Sequence, residues 1–352
     1  MEKFKKLTRN QLFIPIVALI ILVVFNLIKD PTFFAITVEQ NSMGNNVLSG
    51  SLITILDFGS ELAILALGMT LVTAASGGQD ISVGATIAIA GSALLKFLCG
   101  PGTTRPETLA MPIICAFLLS MVIAMLCGAF NGTLVAVFKI PPMVATLIMY
   151  TAGRSIAAWI NNNELPIIDD PRFAYFGGTI PGCPIPTTVF IMLICLGVMA
   201  LLLKRTNLGL YTQAVGINEK SSRLNGINPT AIKILSFVIL GACVGVAALI
   251  KTSRLCTINY SVIAKDIEMD AILAVALGGN ALSGGKFNIW ASVFGAYIIQ
   301  FLTTTLYACH VSSSAIAAYK AVVVIILVVL SAPPVRAKFD AIGKAKKTVK
   351  EA

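Results

Sequence analysis

The chain has 352 residues, of which 57% are hydrophobic and 12% are charged, whereas soluble domains carry about 25% charged residues. Its net charge is +10, but the basic residues are spread over termini and loops without interleaved aromatic residues, which argues against a nucleic-acid surface. Apolar runs of about 20 residues, the length that crosses a bilayer, recur along most of the chain. The composition therefore predicts a polytopic membrane protein.

About ten transmembrane helices are predicted, because lipid offers no partner for a free backbone amide and favours helices. In chain order they span about 12–28, 51–75, 81–98, 109–138, 142–160, 187–203, 231–250, 269–279, 288–308 and 314–332. The eighth is short and ends at two glycines, so a broken or re-entrant helix is an alternative to a full span there. The fourth is long enough to tilt, or to bend at Gly128 and Gly132. We expect an all-α fold without a soluble domain.

The charges in the connecting segments orient these spans. With the amino terminus inside, most of the 26 Lys and Arg residues fall in inside segments, as the positive-inside rule requires. Both termini are therefore expected in the cytoplasm. The predicted organisation is a cytoplasmic segment 1–11, a transmembrane domain 12–332 whose largest inside loop is 204–230, and a basic cytoplasmic tail 333–352.

The sequence lacks the residue sets of common enzymes. One histidine, His310, excludes a multi-histidine metal centre, and the eight cysteines show no metal-type spacing. The segment 279–286 approaches a phosphate-binding loop, but its spacing is wrong and Phe287 replaces the required Ser or Thr. No cofactor is predicted, and a transport subunit is expected rather than an enzyme. Four cysteines would lie near the outer face and are open to pairing: Cys99, Cys183, Cys256 and Cys309.

Asp57 and Glu61 are unusual because two carboxylates lie inside the second predicted span. They are four residues apart and so share one helix face. A carboxylate at that depth is costly unless it faces protein or water, which makes both residues candidates for the translocation path. A structural contact with another helix and a proton-relay role remain open. Asn131, Tyr150 and Arg154 are further path candidates, and helix–helix hydrogen bonding is their alternative interpretation.

The inside loop 204–230 contains the pattern of a two-turn helix at 218–226. Asn218 suits the N-cap, Glu219 suits the positive end of the helix dipole, and Gly226 suits the end. A capped helix on the cytosolic face would offer a docking site for a soluble partner, and an ordinary connector is the alternative. The other docking candidates on this helix are Lys220, Arg223 and Leu224.

Four ordered segments resemble the motifs of one transporter family. They are GGQDISVG at 77–84, KIPPMVATL at 139–147, GLYTQAVGINE with RLNGI at 209–227, and EMDAI with GGNALSGG at 268–285. Together they resemble the ribose-type ABC importer permeases over roughly residues 50–330. The departures from the family pattern, Gln79 and Lys286-Phe287, concern the substrate rather than the family.

This resemblance implies a permease subunit of the bacterial inner membrane that translocates a monosaccharide or a similar small polar solute. It implies three kinds of partner: cytoplasmic ABC ATPase subunits, an extracytoplasmic binding protein, and a second permease copy in a homodimer or a paralogous heterodimer. The helix at 218–226 would then lie in a groove of the ATPase. An ion-coupled secondary transporter that acts alone is the alternative function, with Asp57 and Glu61 as proton carriers.

Two glycine breaks interrupt the apolar runs within these motifs. Tight turns with close helix packing are one interpretation, and a lining of the cavity or gate is the other. Asp80 or Ser82 is expected to cap the third helix. The residues concerned are Gly77, Gly78, Asp80, Ser82, Gly278, Gly279, Ser283 and Gly284. The outer loop 161–186, which is rich in proline and charge, is expected to seat the binding protein or to act as an inert connector.

Overall fold

The computed structural model describes residues 13–40 and 46–331, so the predicted segments 1–11 and 333–352 lie outside the described residues. Helices account for most of the described chain. They are α1 (Phe13–Lys29), α2 (Ser51–Ser76), α3 (Val83–Cys99), α4 (Ile113–Ala136), α5 (Pro142–Ile160), α6 (Pro171–Ala174), α7 (Thr187–Arg205), α8 (Leu208–Ile217), α9 (Glu219–Leu224), α10 (Pro229–Leu255), α11 (Ile267–Leu277), α12 (Ile289–Ala308) and α13 (Ser313–Ser331). A 3₁₀ turn, Pro31–Phe34, follows α1.

Each predicted span coincides with one of these helices. Among the described residues, six helices are long and apolar enough to cross a membrane, namely α2, α4, α5, α7, α10 and α12. The apolar helices α1 and α3 are shorter. The chain is therefore a multi-pass membrane protein, while the count of ten spans stays a prediction.

A β-hairpin between α1 and α2 departs from the predicted all-α fold. Strand β1 (Thr37–Gln40) pairs antiparallel with β2 (Asn46–Ser49), and Thr37 lies opposite Ser49. All four residues of β1 are exposed, so no buried face imposes the alternation by which a strand is recognised. The short helix α6 and the helix α8 were not predicted either.

Helix α2 lies at the centre of the fold. Every residue from Gly59 to Ala75 is buried, and α7, α10, α11 and α12 pack against this helix. A helix that is apolar on all sides is stable only in such a position. Peripheral helices instead expose large apolar side chains, as α4 does with Leu118 and Leu126 and α7 with Ile194. Apolar surface of this extent suits a lipid environment.

Glycines four residues apart hold α4 against α10, the most extensive helix pair in the fold. A Cβ at Gly128 or Gly132 of α4 would meet the α10 backbone, and one at Gly241 or Gly245 would meet the α4 backbone. Small residues allow such close backbone approach between membrane helices. Gly128 and Gly132, considered above as bending points, therefore act in helix packing.

Candidate functional site

Helix α9 has the capped form that the sequence predicts. The Asn218 side-chain oxygen accepts a hydrogen bond of 3.0 Å from the Ser221 amide, which satisfies one free donor of the first turn. Gly226 ends the turn with a φ of +80°, a conformation that side chains disfavour. The helix itself covers Glu219–Leu224, slightly less than the predicted 218–226.

Glu219 fixes α9 to the body of the protein. Its two carboxylate oxygens accept hydrogen bonds of 2.7 Å from Lys139, between α4 and α5, and from Lys233 on α10. Arg223 adds a longer contact of 3.8 Å within α9. The two lysine contacts lower the pKa of Glu219 to about 2. Glu219 is thus an internal anchor, and other residues of α9 face outward.

The outward face of α9 combines a leucine with basic side chains. Leu224 is 89% exposed, which is unusual for a large apolar residue on an ordered helix. Lys220 and Arg223 are exposed beside it. An exposed leucine with a basic rim is suited to insertion into a complementary groove of a partner. Leu224, Lys220 and Arg223 are therefore the exposed side chains of α9 that best suit docking.

The Glu219 anchor makes a measurable prediction. Glu219→Gln removes both charge-assisted contacts, so we expect amide hydrogen exchange in 219–226 to accelerate at pH 7. Because the paired side chains are partly exposed and solvent weakens their attraction, the expected acceleration is only roughly tenfold. Because folding depresses this pKa from 4.5 to about 2, the stabilisation is complete above about pH 4.5 and disappears as the pH falls through 2. Lys220→Gln, a substitution on the exposed face, is the control. Unchanged exchange in Glu219→Gln would contradict the anchor.

Helix α8 joins the two glycine breaks into one packed junction. A Cβ at Gly216 would overlap the carbonyl oxygen of Ala74, at the end of α2, and the amide of Gly285. That amide donates a 2.9 Å hydrogen bond to the same Ala74 carbonyl. Gly77, with a φ of +66°, lies against the carbonyl of Ser283. The breaks at 77–82 and 278–285 therefore meet each other beside the segment that leads into α9.

Gly216→Ala should separate this junction. The added methyl group has no space, so we expect a loss of about 1–3 kcal/mol in the free energy of unfolding, as for overpacked cores. Gly197→Ala on α7 is the matched control, because nothing lies within 4 Å of a Cβ there. Thermal unfolding of the two purified variants distinguishes them, and equal stability would contradict the tight junction.

The polar residues at the first break hold α3 to α4 rather than cap α3. The Asp80 carboxylate accepts hydrogen bonds from the amide and the hydroxyl of Ser82, at 2.7 and 2.6 Å. Ser82 occupies the N-cap position but makes no side-chain cap, so the predicted capping is wrong. Asn131 of α4 donates to the Ser82 hydroxyl at 2.9 Å, and all three side chains are buried.

The second break depends on a residue that sequence reasoning did not single out. Asn280 is buried and donates a 2.7 Å hydrogen bond to Ser292 of α12, while its oxygen accepts one from the Asn288 amide. Ser292 in turn contacts Thr70 of α2 at 2.6 Å. This network fixes the loop 280–288 to the central helix.

The remaining motif glycines and Ser283 lie in or beside the breaks and serve close packing. Gly278 and Gly78 leave no room for a Cβ, against Ala291 and Pro142 respectively. Gly284 lies against Gly77, and Gly279 adopts a φ of +77°. These contacts fit the packing interpretation of the breaks.

Asp57 and Glu61 form a largely buried cluster with two cations of α10. Arg254 contacts Asp57 at 2.9 Å and Glu61 at 3.0 Å, and Lys251 lies 3.1 Å from the second Glu61 oxygen. Thr188 of α7 donates a 2.7 Å hydrogen bond to Asp57. The Glu61 side chain is 2% exposed. Two carboxylates and two cations make the cluster neutral, which offsets part of the cost of burial.

A cavity of about 290 Å³ adjoins this cluster between α2, α10, α11 and α12. Its polar walls come from Glu61, Lys251, Lys265, Asp270 and Gln300. This volume is close to the lower limit of about 300 Å³ for ligand pockets, and alternating donors and acceptors suit a hydroxylated solute.

Asp270 extends the charged region to α13. Its carboxylate lies 2.8 Å from the ammonium group of Lys320, which joins α11 to α13. Sequence reasoning identified neither this pair nor the cationic partners on α10. The sequence did contain a sign of these ion pairs. Lys251, Arg254 and Lys320 lie at or within predicted spans, where an unpaired charge is costly and a partner is therefore expected.

Two other path candidates lie on α5. Arg154 donates hydrogen bonds of 2.9 and 3.0 Å to the carbonyls of Tyr260 and Ile263, and so holds the loop before α11. Tyr150, one turn earlier, is half-buried. These contacts fit the helix-packing alternative for Arg154 and Asn131, and their path role stays a prediction.

The loop 161–186 forms a charged cleft of about 850 Å³ with the loop after α3. Arg105 pairs with Asp169, and Arg172 pairs with Asp170 at 2.7 Å, which lowers the pKa of Asp170. Phe173 is fully buried and anchors the loop. All eight cysteines are free, including the four considered for pairing.

Comparison with known proteins identifies relatives along nearly the whole chain. Residues 51–332 match the family described as the permease component of branched-chain amino acid transport systems. The chain is 34% identical to the fructose import permease protein of Bifidobacterium longum over 98% of this chain and 94% of the relative. It is 37% identical to the galactofuranose transporter permease protein of Escherichia coli, over 82% of this chain and 80% of the relative. It is 33% identical to the ribose import permease protein of Haemophilus influenzae, over 89% of this chain and 90% of the relative. No solved structure matches.

Proposed function

We propose that this chain, which belongs to the family of ABC importer permeases that includes the ribose, fructose and galactofuranose permeases, is the membrane-spanning subunit of an ATP-driven monosaccharide importer. Its energy would come from ABC ATPase subunits in the cytoplasm. Its cargo would arrive on an extracytoplasmic binding protein, and a second permease copy would complete the pathway.

The observation that carries this proposal is the form of α9. It is short, capped and outwardly exposed at Leu224, yet Glu219 connects it rigidly to Lys139 and Lys233. A displacement of α9 by a partner would therefore move the start of α5 and of α10 directly. Helix α8 transmits the same displacement to the glycine junction at the ends of α2 and α11. A partner that closes on ATP binding would use this connection to shift the permease between two states.

The cargo would pass near the neutral cluster at the other end of α2. Glu61 and Lys251 line the cavity of about 290 Å³, and their paired charges offer both acceptors and donors to sugar hydroxyls. Asp57 positions Arg254 beside it. Asn131, Tyr150 and Arg154 are retained as path candidates. The likeness to sugar permeases supports a monosaccharide as the cargo.

The orientation follows from the charge distribution, with α9 and both termini in the cytoplasm. The cleft formed by Arg105, Asp169 and Arg172 would then face outward and seat the binding protein by charge pairing, which acts mainly on the association rate.

A crosslinking experiment tests the docking role of α9. A photoreactive amino acid replaces Lys220, which is exposed beside Leu224. We expect crosslinks to the ATPase subunit, whereas the same group at Leu165, in the loop 161–186, should give none. Crosslinks from residue 220 to the binding protein, or none to the ATPase, would contradict this role and the orientation.

A further inference from the structure

A second cavity, of about 740 Å³, lies between the end of α7, the start of α8 and the start of α12. Its walls are apolar where α7 and α12 contribute Leu203 and Ile289, and the exposed Lys204 and Lys286 also line it. Trp290, in the first turn of α12, lines the cavity and is 58% exposed. The transport mechanism proposed above uses none of these side chains.

The charge around this cavity is of one sign. Lys204 and Lys286 are exposed, and neither forms an ion pair within residues 13–40 and 46–331. The sequence explains why, since it has no Asp or Glu from 171 to 218 or from 271 to 339. All the segments that form the cavity lie in these two acid-free stretches. The cavity therefore selects an anion.

The position of the cavity indicates the kind of anion. Helices α7 and α12 both qualify as membrane spans, and the cavity opens where α7 ends and α12 begins. In a bilayer, the ends of two such spans would lie at the level of the lipid headgroups. Exposed tryptophan is typical of this level, because its ring is apolar and its N–H is polar. Ala200 and Leu203 of α7 and Ile289 of α12 form an apolar wall beside the lysines, where the start of an acyl chain would lie.

We propose that this cavity binds an anionic phospholipid, with Lys204 and Lys286 contacting the headgroup phosphate and Trp290 packing beside the glycerol region. Basic pockets between membrane helices bind such headgroups in other proteins. The site lies next to α8, whose Leu210 and Gln213 form one wall. A bound lipid would therefore support the segment that leads into α9.

Native mass spectrometry of the purified full-length chain tests this proposal. Phosphatidylglycerol and phosphatidylcholine with identical acyl chains serve as probes. We expect the wild type to retain phosphatidylglycerol selectively, and the double variant K204Q/K286Q to bind it about 30-fold more weakly, since each lysine near an anionic lipid contributes about one kcal/mol. Thermal unfolding with each lipid gives a second readout, in which only phosphatidylglycerol stabilises the wild type.

The matched control is K29Q/K96Q. It removes the same charge at the carboxyl-terminal ends of α1 and α3, which lie on the opposite side of the membrane in the predicted topology, and it should leave lipid binding unchanged. The proposal is overturned if K204Q/K286Q binds phosphatidylglycerol as tightly as the wild type. It is also overturned if that variant loses the ATPase while its lipid binding persists, because the cavity would then be a protein-docking site.

Discussion

Replacing Arg254 by methionine is expected to lower the free energy of unfolding by about 3–5 kcal/mol, the largest effect of any substitution considered for this chain. Arg254 contacts both Asp57 and Glu61, and its side chain is 16% exposed. Its removal leaves the buried Glu61 and the partly buried Asp57 with Lys251 as the one remaining cation of the cluster. Thermal unfolding of the purified protein, together with sugar uptake, measures the effect.

Arg172→Met is the matched control for this substitution. Arg172 also pairs with an aspartate, at 2.7 Å, but its side chain is 76% exposed, and an exposed pair contributes about 0–1 kcal/mol. Arg254→Lys keeps the charge and should recover part of the stability. If Arg254→Met and Arg172→Met were equally stable, the buried cluster would not be a main determinant of the fold.

Replacing Leu224 by aspartate is expected to weaken ATPase binding by at least thirtyfold, the equivalent of roughly 2 kcal/mol for a central contact residue. Leu224 is 89% exposed and makes little contact with its own chain, so the fold should lose no more than about 0.5 kcal/mol. Binding of the purified ATPase to the permease in nanodiscs measures the first quantity. Thermal unfolding measures the second.

Leu165→Asp provides the control for Leu224→Asp. Leu165 is also an exposed leucine, at 48%, but it lies in the loop 161–186, far along the chain from α9. We expect its substitution to leave ATPase affinity unchanged. If Leu224→Asp bound the ATPase with wild-type affinity, α9 would not be the docking element, even if the protein proved to be an importer.

Local signals explain what the sequence predicted correctly. Asn218 and Gly226 belong to one short segment, so the cap and the end of α9 could be recognised without any knowledge of the tertiary fold. The apolar runs located the helices to within about five residues for the same reason, while the count of ten spans stays a prediction. The glycines of α4 and α10 also carried a readable spacing of four residues, but only the structure shows that the two helices pack against each other.

Long-range pairing explains what the sequence could not predict. Asp57 and Arg254 are 197 residues apart, and no local pattern connects them. The predicted seventh span therefore stopped at 250, before the charges of Lys251 and Arg254, whereas α10 continues to Leu255. It continues because the α2 carboxylates neutralise both cations. The sequence likewise predicted Glu219 as part of a docking helix rather than as its anchor. Its partners Lys139 and Lys233 lie outside α9, so no local pattern showed the contacts.

Uptake by reconstituted vesicles tests the central claim most directly. The permease is inserted into proteoliposomes with its ATPase and supplied with the binding protein loaded with radiolabelled sugar. We predict accumulation that requires ATP on the ATPase side and stops when any one partner is omitted. Sugar accumulation by the permease alone under a proton gradient, without ATP, would contradict the account and identify a secondary transporter.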